Sequence, residues 1–148
     1  CFDMQKHKDY YDKLRCIFEQ TLELIDNYKP FAMAIESPLY GNNVQSMLKL
    51  GRAQGAAISA ALYRSVPVFE YAPRKIKQSI TGYGNASKQQ IALFLQKLMK
   101  FETLPEKLDA TDGLAVAVCH FYQQNKHTAP GKYKGWADFV KKNPQRLG

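Results

Sequence analysis

Three acidic side chains of this sequence, Glu36, Asp109 and Asp112, are of a type and spacing that could do chemistry. Asp109 and Asp112 lie three residues apart in LDATDGLAVAV, at the start of a run that reads as a mostly buried helix. That spacing puts both on one helix face with Cβ atoms about 5 to 6 Å apart, and Gly113 and Val116 leave that face small or apolar. Two acids at a helix start also have an ordinary use, since Asp caps well and negative charge suits the positive end of the helix dipole. Taken alone, capping is the better reading of the pair.

Glu36 changes that balance. It closes the apolar run Phe31 to Ile35, and a charge at the end of a buried strand is unfavourable unless it is paired or coordinated. Ligand sites of open α/β sheets lie at the carboxyl ends of their strands. Three carboxylates converging there would repel one another, and a hard divalent cation relieves that repulsion. Two Mg2+ ions about 3.5 to 4 Å apart can activate water and stabilise the leaving oxygen of a phosphodiester. Glu70 is a rival acid, because it also ends a short apolar run, Val66 to Phe69, and the residues alone do not separate its structural and functional readings.

The elements that must position these acids follow from periodicity. Between Asp9 and Tyr28, apolar residues at Tyr11, Leu14, Phe18, Leu22, Ile25 and Tyr28 predict an amphipathic helix that Lys29-Pro30 ends. A buried strand over Phe31 to Ile35 follows. A turn over Ser37 to Asn43 then leads into a second helix marked by Val44, Met47, Leu48, Gly51, Gly55, Ile58 and Leu62. Gly51 and Gly55, one turn apart, leave a notch best explained by close helix packing inside the domain. Val66 to Phe69 reads as a second strand. Tyr71 to Ala86 reads as a basic loop punctuated by Gly82 and Gly84. Ser87 and Gln90 form a capping box for a helix whose inner face is Ile91, Phe94, Leu95 and Leu98. Leu104-Pro105 separates it from the last helix, Asp109 to Gln123, with Leu114, Val116, Val118, Cys119 and Phe121 on nearly all sides. Helix and strand in alternation argue for an α/β sheet covered by helices. From Asn125 the chain is polar and basic, with Trp136 and Phe139 as docking points, so the division is a domain over 1–124 and a basic tail over 125–148.

At 148 residues the chain suits one domain with a real core. A net charge of +8 favours a polyanionic partner such as nucleic acid. Cys1, Cys16 and Cys119 lack the spacing of a zinc site or disulfide framework, which suits a reducing cytosol. No apolar run approaches the roughly 20 residues of a membrane span, so a soluble, cytoplasmic protein without a membrane partner is expected.

Three segments, in order and spacing, carry a resemblance: AIESPLYGNNVQSMLKLGRAQGAAISAAL, PVFEYAPRKIKQSITGYGNASKQQ and LDATDGLAVAVCHF. Together they resemble the bacterial Holliday junction resolvases of the RuvC family, from about Leu14 to Phe121. The resemblance implies an RNase H-like fold, a mixed sheet flanked by helices. It implies a homodimer that binds a four-way DNA junction and nicks two strands symmetrically with Mg2+, beside a branch-migration complex. Glu36, Asp109 and Asp112 then take the places of metal-holding acids, and Glu70 becomes structural. Lys77 and Lys88 match basic residues beside the active site, each able to contact the scissile phosphate region as a compact charge. Leu39 and Tyr40 match the hydrophobic pair that wedges at the junction centre, where Tyr40 can stack on a base. Asn43, Arg74 and Lys75 complete the expected DNA contacts. The helix after the wedge loop is the family's main dimer contact, a second use for the Gly51 and Gly55 notch.

Two departures are visible. Asn42 stands where many relatives carry lysine. The family's opening hairpin, whose GIDPG motif supplies a fourth acid, has no match here, and Asp3 in FDMQK does not substitute for it. The chain is therefore expected to be part of a longer resolvase, with a binding-only, catalytically inactive protein as the alternative.

Overall fold

The computed structural model of the chain describes residues 9–38, 43–103 and 108–128, and among these not the side chains of 108, 109 and 125–128. Helix α1 (Tyr10–Tyr28) starts where Asp9 accepts the backbone N–H groups of Tyr11 and Asp12 at 2.8 and 3.1 Å. It stops at Lys29, held in the left-handed conformation with φ 46° before Pro30. Its expected apolar stripe is buried at Ile25, but Tyr11 and Tyr28 are 72% and 78% exposed. Both ends of the helix run past the place where it packs on the core.

Strands β1 (Met33–Glu36) and β2 (Val68–Tyr71) pair in parallel, with Met33 opposite Val68 and Glu36 opposite Tyr71. Between them runs α2 (Val44–Tyr63), capped by Asn43, whose side chain accepts the Ser46 N–H at 3.0 Å. The strand period of two sorts the side chains onto opposite faces. Met33 and Val68 pack with Ile25, Ala61 and Val66 on the α1 and α2 side. Ala34 and Tyr71 pack on the other side, against a larger core. Glu36 shares that second face by alternation.

Strand boundaries correct two expectations. Phe31 lies outside β1 and is 75% exposed. Val66 is buried but belongs to the turn that closes α2, where Ser65 has φ 57° and the Val66 N–H donates to the Ala61 carbonyl at 2.9 Å. The second strand therefore starts at Val68 and does not end on Glu70. Glu70 sits opposite Ile35, one residue out of phase with Glu36, so it faces away from the Glu36 side of the sheet.

The stretch read as a basic loop is instead largely helix α3 (Pro73–Thr81). Pro73 at the first helical position has its φ preset, and Gly82 at φ 77° ends the helix with its N–H on the Gln78 carbonyl. Ile76 is buried and Ile80 packs beside it. Helix α4 (Lys88–Met99) carries the expected capping box, complete in both directions. Its buried residues are Ile91, Ala92 and Leu95, whereas Phe94 and Leu98 are about half exposed, so the inner face is rotated toward Ala92. Helix α5 (Leu108–Thr128) runs past the expected end at Gln123. It buries Thr111, Ala115, Val116, Val118, Cys119 and His120, but leaves Phe121 59% exposed.

Helices α3, α4 and α5 pack together on the β1 face that carries Glu36. Helices α1 and α2 cover the other face, which makes the α/β layering expected of the chain. Its sheet is two parallel strands among the described residues. Among those residues no helix is long and apolar enough to cross a membrane.

Candidate active site

Four elements meet at the carboxyl end of β1. Pro73 is the first residue of α3, Lys88 the first of α4, and Asp112 lies just inside the first turns of α5. These residues, with Glu36 and Lys77, surround a cleft of about 120 Å3 whose apolar walls are Ile76, Ile91, Ala115 and Val116. Residues from the first turns of α3 and α4 and from the N-terminal half of α5 thus share one cleft, near the positive ends of the α3 and α4 dipoles.

Glu36 and Asp112 both line this cleft, as their expected roles require. Burial against the cleft wall pushes the Glu36 carboxyl above its ordinary value, and the negative charge of Asp112 pushes it further. Lys88 and Lys77 oppose that rise. The Lys88 ammonium donates to Asp112 Oδ2 at 2.8 Å, with the side chains 60% and 39% exposed. Lysine at the first position of a helix opposes the dipole, so the ion pair supplies a compensation the helix itself cannot.

The oxygen donors suit a hard divalent cation. The charge of Asp112 raises the proton affinity of Glu36, and Lys77 and Lys88 already gather around the pair. Among the described side chains, no group of three or more His, Cys, Asp or Glu residues forms a cage. Asp109 belongs to the first turn of α5 on the face of Asp112, three residues upstream, and its side chain lies outside the description. Leu39, Tyr40 and Asn42 lie outside the described residues, as do Asp3, Cys1, Leu104-Pro105, Trp136 and Phe139.

The remaining expected contacts are dispersed around the cleft. Arg74 and Lys75 are exposed on the first turn of α3 and do not line it. The Arg74 stem lies over Gly84 so closely that a Cβ there would be 2.8 Å from Arg74 Cγ. Asn43 is exposed but engaged as the cap of α2.

Two polar residues escaped the sequence reading. Gln54 on α2 donates from Nε2 to the Glu36 backbone carbonyl at 2.8 Å. His120 is buried on α5, with Nδ1 2.7 Å from the Tyr71 hydroxyl and its ring 4.5 Å from that of Phe69. The signal for His120 was present, because a polar residue inside AVAVCHF demands a partner when buried. Nothing in the spacing of Gln54 pointed to a strand carbonyl.

Comparison with known proteins matches residues 1–120 to the family model described as crossover junction endodeoxyribonuclease RuvC. The crossover junction endodeoxyribonuclease RuvC of Christiangramia forsetii is 58% identical over 144 residues, covering 97% of this chain and 75% of its own length. That of Bacteroides fragilis is 53% identical over 147 residues, covering 98% and 78%. Among solved structures, Thermus thermophilus RuvC superposes with a TM-score of 0.76 at 28% identity, covering 86% of this chain and 75% of that one. The same protein in complex with Holliday junction substrate gives 0.79 at 28% identity, covering 86% and 76%.

Proposed function

Because this chain belongs to the RuvC family of crossover junction endodeoxyribonucleases, we propose that it resolves four-way DNA junctions by metal-dependent hydrolysis of paired phosphodiesters, in recombination and repair in the bacterial cytoplasm. The observation that carries this reading is the cleft where Glu36 and Asp112 face Lys77 and Lys88 at the end of β1. Glu36, Asp112 and Asp109 would hold the cations, Mg2+ and two in number. When bound, these supply Lewis-acid polarisation of the phosphodiester and acidify water.

The chain's own residues prepare the rest. Lys77 and Lys88 oppose the rise in the proton affinity of Glu36 that burial causes, and they offer positive charge to the phosphate that enters. Ile76, Ile91, Ala115 and Val116 narrow the wet volume behind the carboxylates, which strengthens every charge interaction in the cleft. Arg74 and Lys75 extend the basic surface along α3 toward the flanking DNA backbone, and Asn43 caps the helix that follows Leu39 and Tyr40, the wedge of the junction centre.

A second copy of the chain would dock on α2. An apolar groove of about 460 Å3 runs there, lined by Pro38, Val44, Met47, Leu48, Gly51 and Arg52. A Cβ at Gly51 or Gly55 would meet nothing within 4 Å, so the notch is not filled by packing inside the domain. Two active sites in one symmetric dimer account for paired nicks.

The test uses a labelled synthetic four-way junction and a linear duplex of equal length. Symmetric nicks in the junction with Mg2+, and binding without nicks in Ca2+, are the expected result. Equal cutting of the duplex, or cutting unaffected by Glu36→Gln, refutes the reading.

A further inference from the structure

We propose that Gln54 is a positioning residue for Glu36, pinning the end of the catalytic strand to α2 and so coupling that helix to the active site. The inference rests on the role assigned to Glu36 above. Glu36 is the last residue of β1, and a carbonyl at a strand end must find a partner beyond the regular ladder. The next residue is held to β2, since the Ser37 N–H donates to the Tyr71 carbonyl at 2.9 Å. The Glu36 carbonyl itself is taken by Gln54 Nε2 at 2.8 Å. The peptide that carries the carboxylate is thereby clamped between β2 and α2.

Gln54 also lies between the exposed first half of α2 and the more buried stretch that follows, before Leu62 and Tyr63 emerge again. Beyond it toward the C-terminus, Ala60 and Ala61 are fully buried. Before it, Val44, Leu48 and Leu50 are 65%, 51% and 50% exposed. A 3.4 Å hydrogen bond from the Tyr10 hydroxyl to the Lys49 carbonyl tethers this outer half to α1. The outer half of α2 follows directly on the segment of Leu39 and Tyr40, and its groove is the surface offered to a second copy. A displacement of the outer half of α2 by DNA or by a partner would reach the Glu36 peptide directly through this side-chain amide. Catalytic geometry is sensitive on that scale, because a misplacement of about 1 Å can lower a rate roughly 100-fold.

The test compares Gln54→Leu, which keeps a similar volume without a donor, with Gln54→Arg, which restores donors of sufficient reach. Single-turnover cleavage of the junction in Mg2+, junction affinity in Ca2+ and thermal midpoint are measured on the intact protein. Gln54→Leu should cleave about 5- to 50-fold more slowly, with junction affinity within about twofold of wild type, and Gln54→Arg should regain most of the rate. An unchanged rate in Gln54→Leu overturns the proposal. So does a loss that follows junction affinity or thermal midpoint and that Gln54→Arg does not restore. Glu36→Gln run in parallel separates the two levels: cleavage by Glu36→Gln at the wild-type rate refutes the site itself. Cleavage by Gln54→Leu at that rate, beside an inactive Glu36→Gln, refutes only the role of Gln54.

Discussion

Lys88 occupies a carboxylate of the proposed cation site, and the competition can be measured. Its ammonium lies 2.8 Å from Asp112 Oδ2. At that separation two unit charges attract by about 1.5 kcal/mol in bulk water. The two side chains are 60% and 39% exposed, and measured pairs of this kind retain roughly 0.2 to 1 kcal/mol after side-chain ordering and screening. A cation that binds Asp112 must displace this ammonium. Lys88→Met, which keeps the stem and removes the charge, should therefore tighten cation binding by up to about 5-fold, the factor equivalent to 1 kcal/mol.

Calorimetric titration with Ca2+, without DNA, reads that change directly. The effect has a pH signature, because Lys88 also holds down the proton affinity of Glu36. Without Lys88, Glu36 keeps its proton to higher pH, and the proton competes with the cation. The tightening should be full at pH 8 and shrink as pH falls into the range where Glu36 protonates. Junction cleavage should nevertheless slow, since the cation binds better but the phosphate has lost a positive partner. Equal or weaker Ca2+ binding by Lys88→Met at pH 8 would show that Lys88 does not guard the site.

Three further outcomes follow from the same geometry. The raised proton affinity of Glu36 favours the native state below the ordinary range of glutamate, and that contribution is lost as pH rises through the folded value. Metal-free Glu36→Gln should thus melt at or above the wild-type temperature at pH 8. Mg2+ at ten times its dissociation constant should raise the wild-type midpoint by about 3 to 5 °C, the equivalent of about 1.4 kcal/mol, and leave the variant unmoved; an equal rise in both excludes Glu36 as a ligand. Lys77→Ala should lower the slope of log affinity for the junction against log salt by about 0.9, and an identical slope removes Lys77 from the DNA contact. Gly84→Ala drives a Cβ against Arg74 Cγ at 2.8 Å, so the Arg74 stem must leave its place. Junction binding should weaken and its salt slope fall by up to about 0.9, and a variant that binds with wild-type affinity and slope refutes a role for the placement of Arg74.

The parts legible in the sequence were those written in local chemistry. The Ser87 and Gln90 capping box and the Asp9 start of α1 rest on contacts between near neighbours, and the strand ending on Glu36 on a continuous apolar run; all stand in the structure. Helix α3 was misread because Arg74, Lys75 and Gly82 drew attention as loop residues. Its real markers were Pro73 at the start, Ile76 and Ile80 one turn apart, and Gly82 just past the end. The second strand was misplaced by two residues because Val66 is as apolar as any strand residue, yet it serves to seal the turn after α2. Faces were read less well than elements. Tyr11, Tyr28, Phe94 and Phe121 fit the helical period, but period does not reveal where a helix end leaves its neighbour. The convergence of Glu36 and Asp112 on one face of the sheet, and the long-range partners Gln54 and His120, depend on how β1, α2 and α5 are stacked.

The distribution of charge at the helix starts carries the last step. A helix N-terminus is stabilised by acids and disfavours cations, by about 0.3 to 1 kcal/mol each. Here α3 begins Pro-Arg-Lys and α4 begins with Lys88, and neither has an acid in its first turn. Local stability does not explain two such openings beside one cleft. An anion from outside the chain does, because backbone N–H groups, helix dipoles and ammonium groups then act on it together. The acids of the cleft stand on β1 and α5, and Lys88 of α4 already meets Asp112 of α5 at 2.8 Å, so both signs of charge share the cleft. On the proposed function, a phosphate would meet α3 and α4 while the cations would be held by Glu36 and Asp112. On that reading, each helix start that weakens the free protein would become part of the contact that forms when DNA is present.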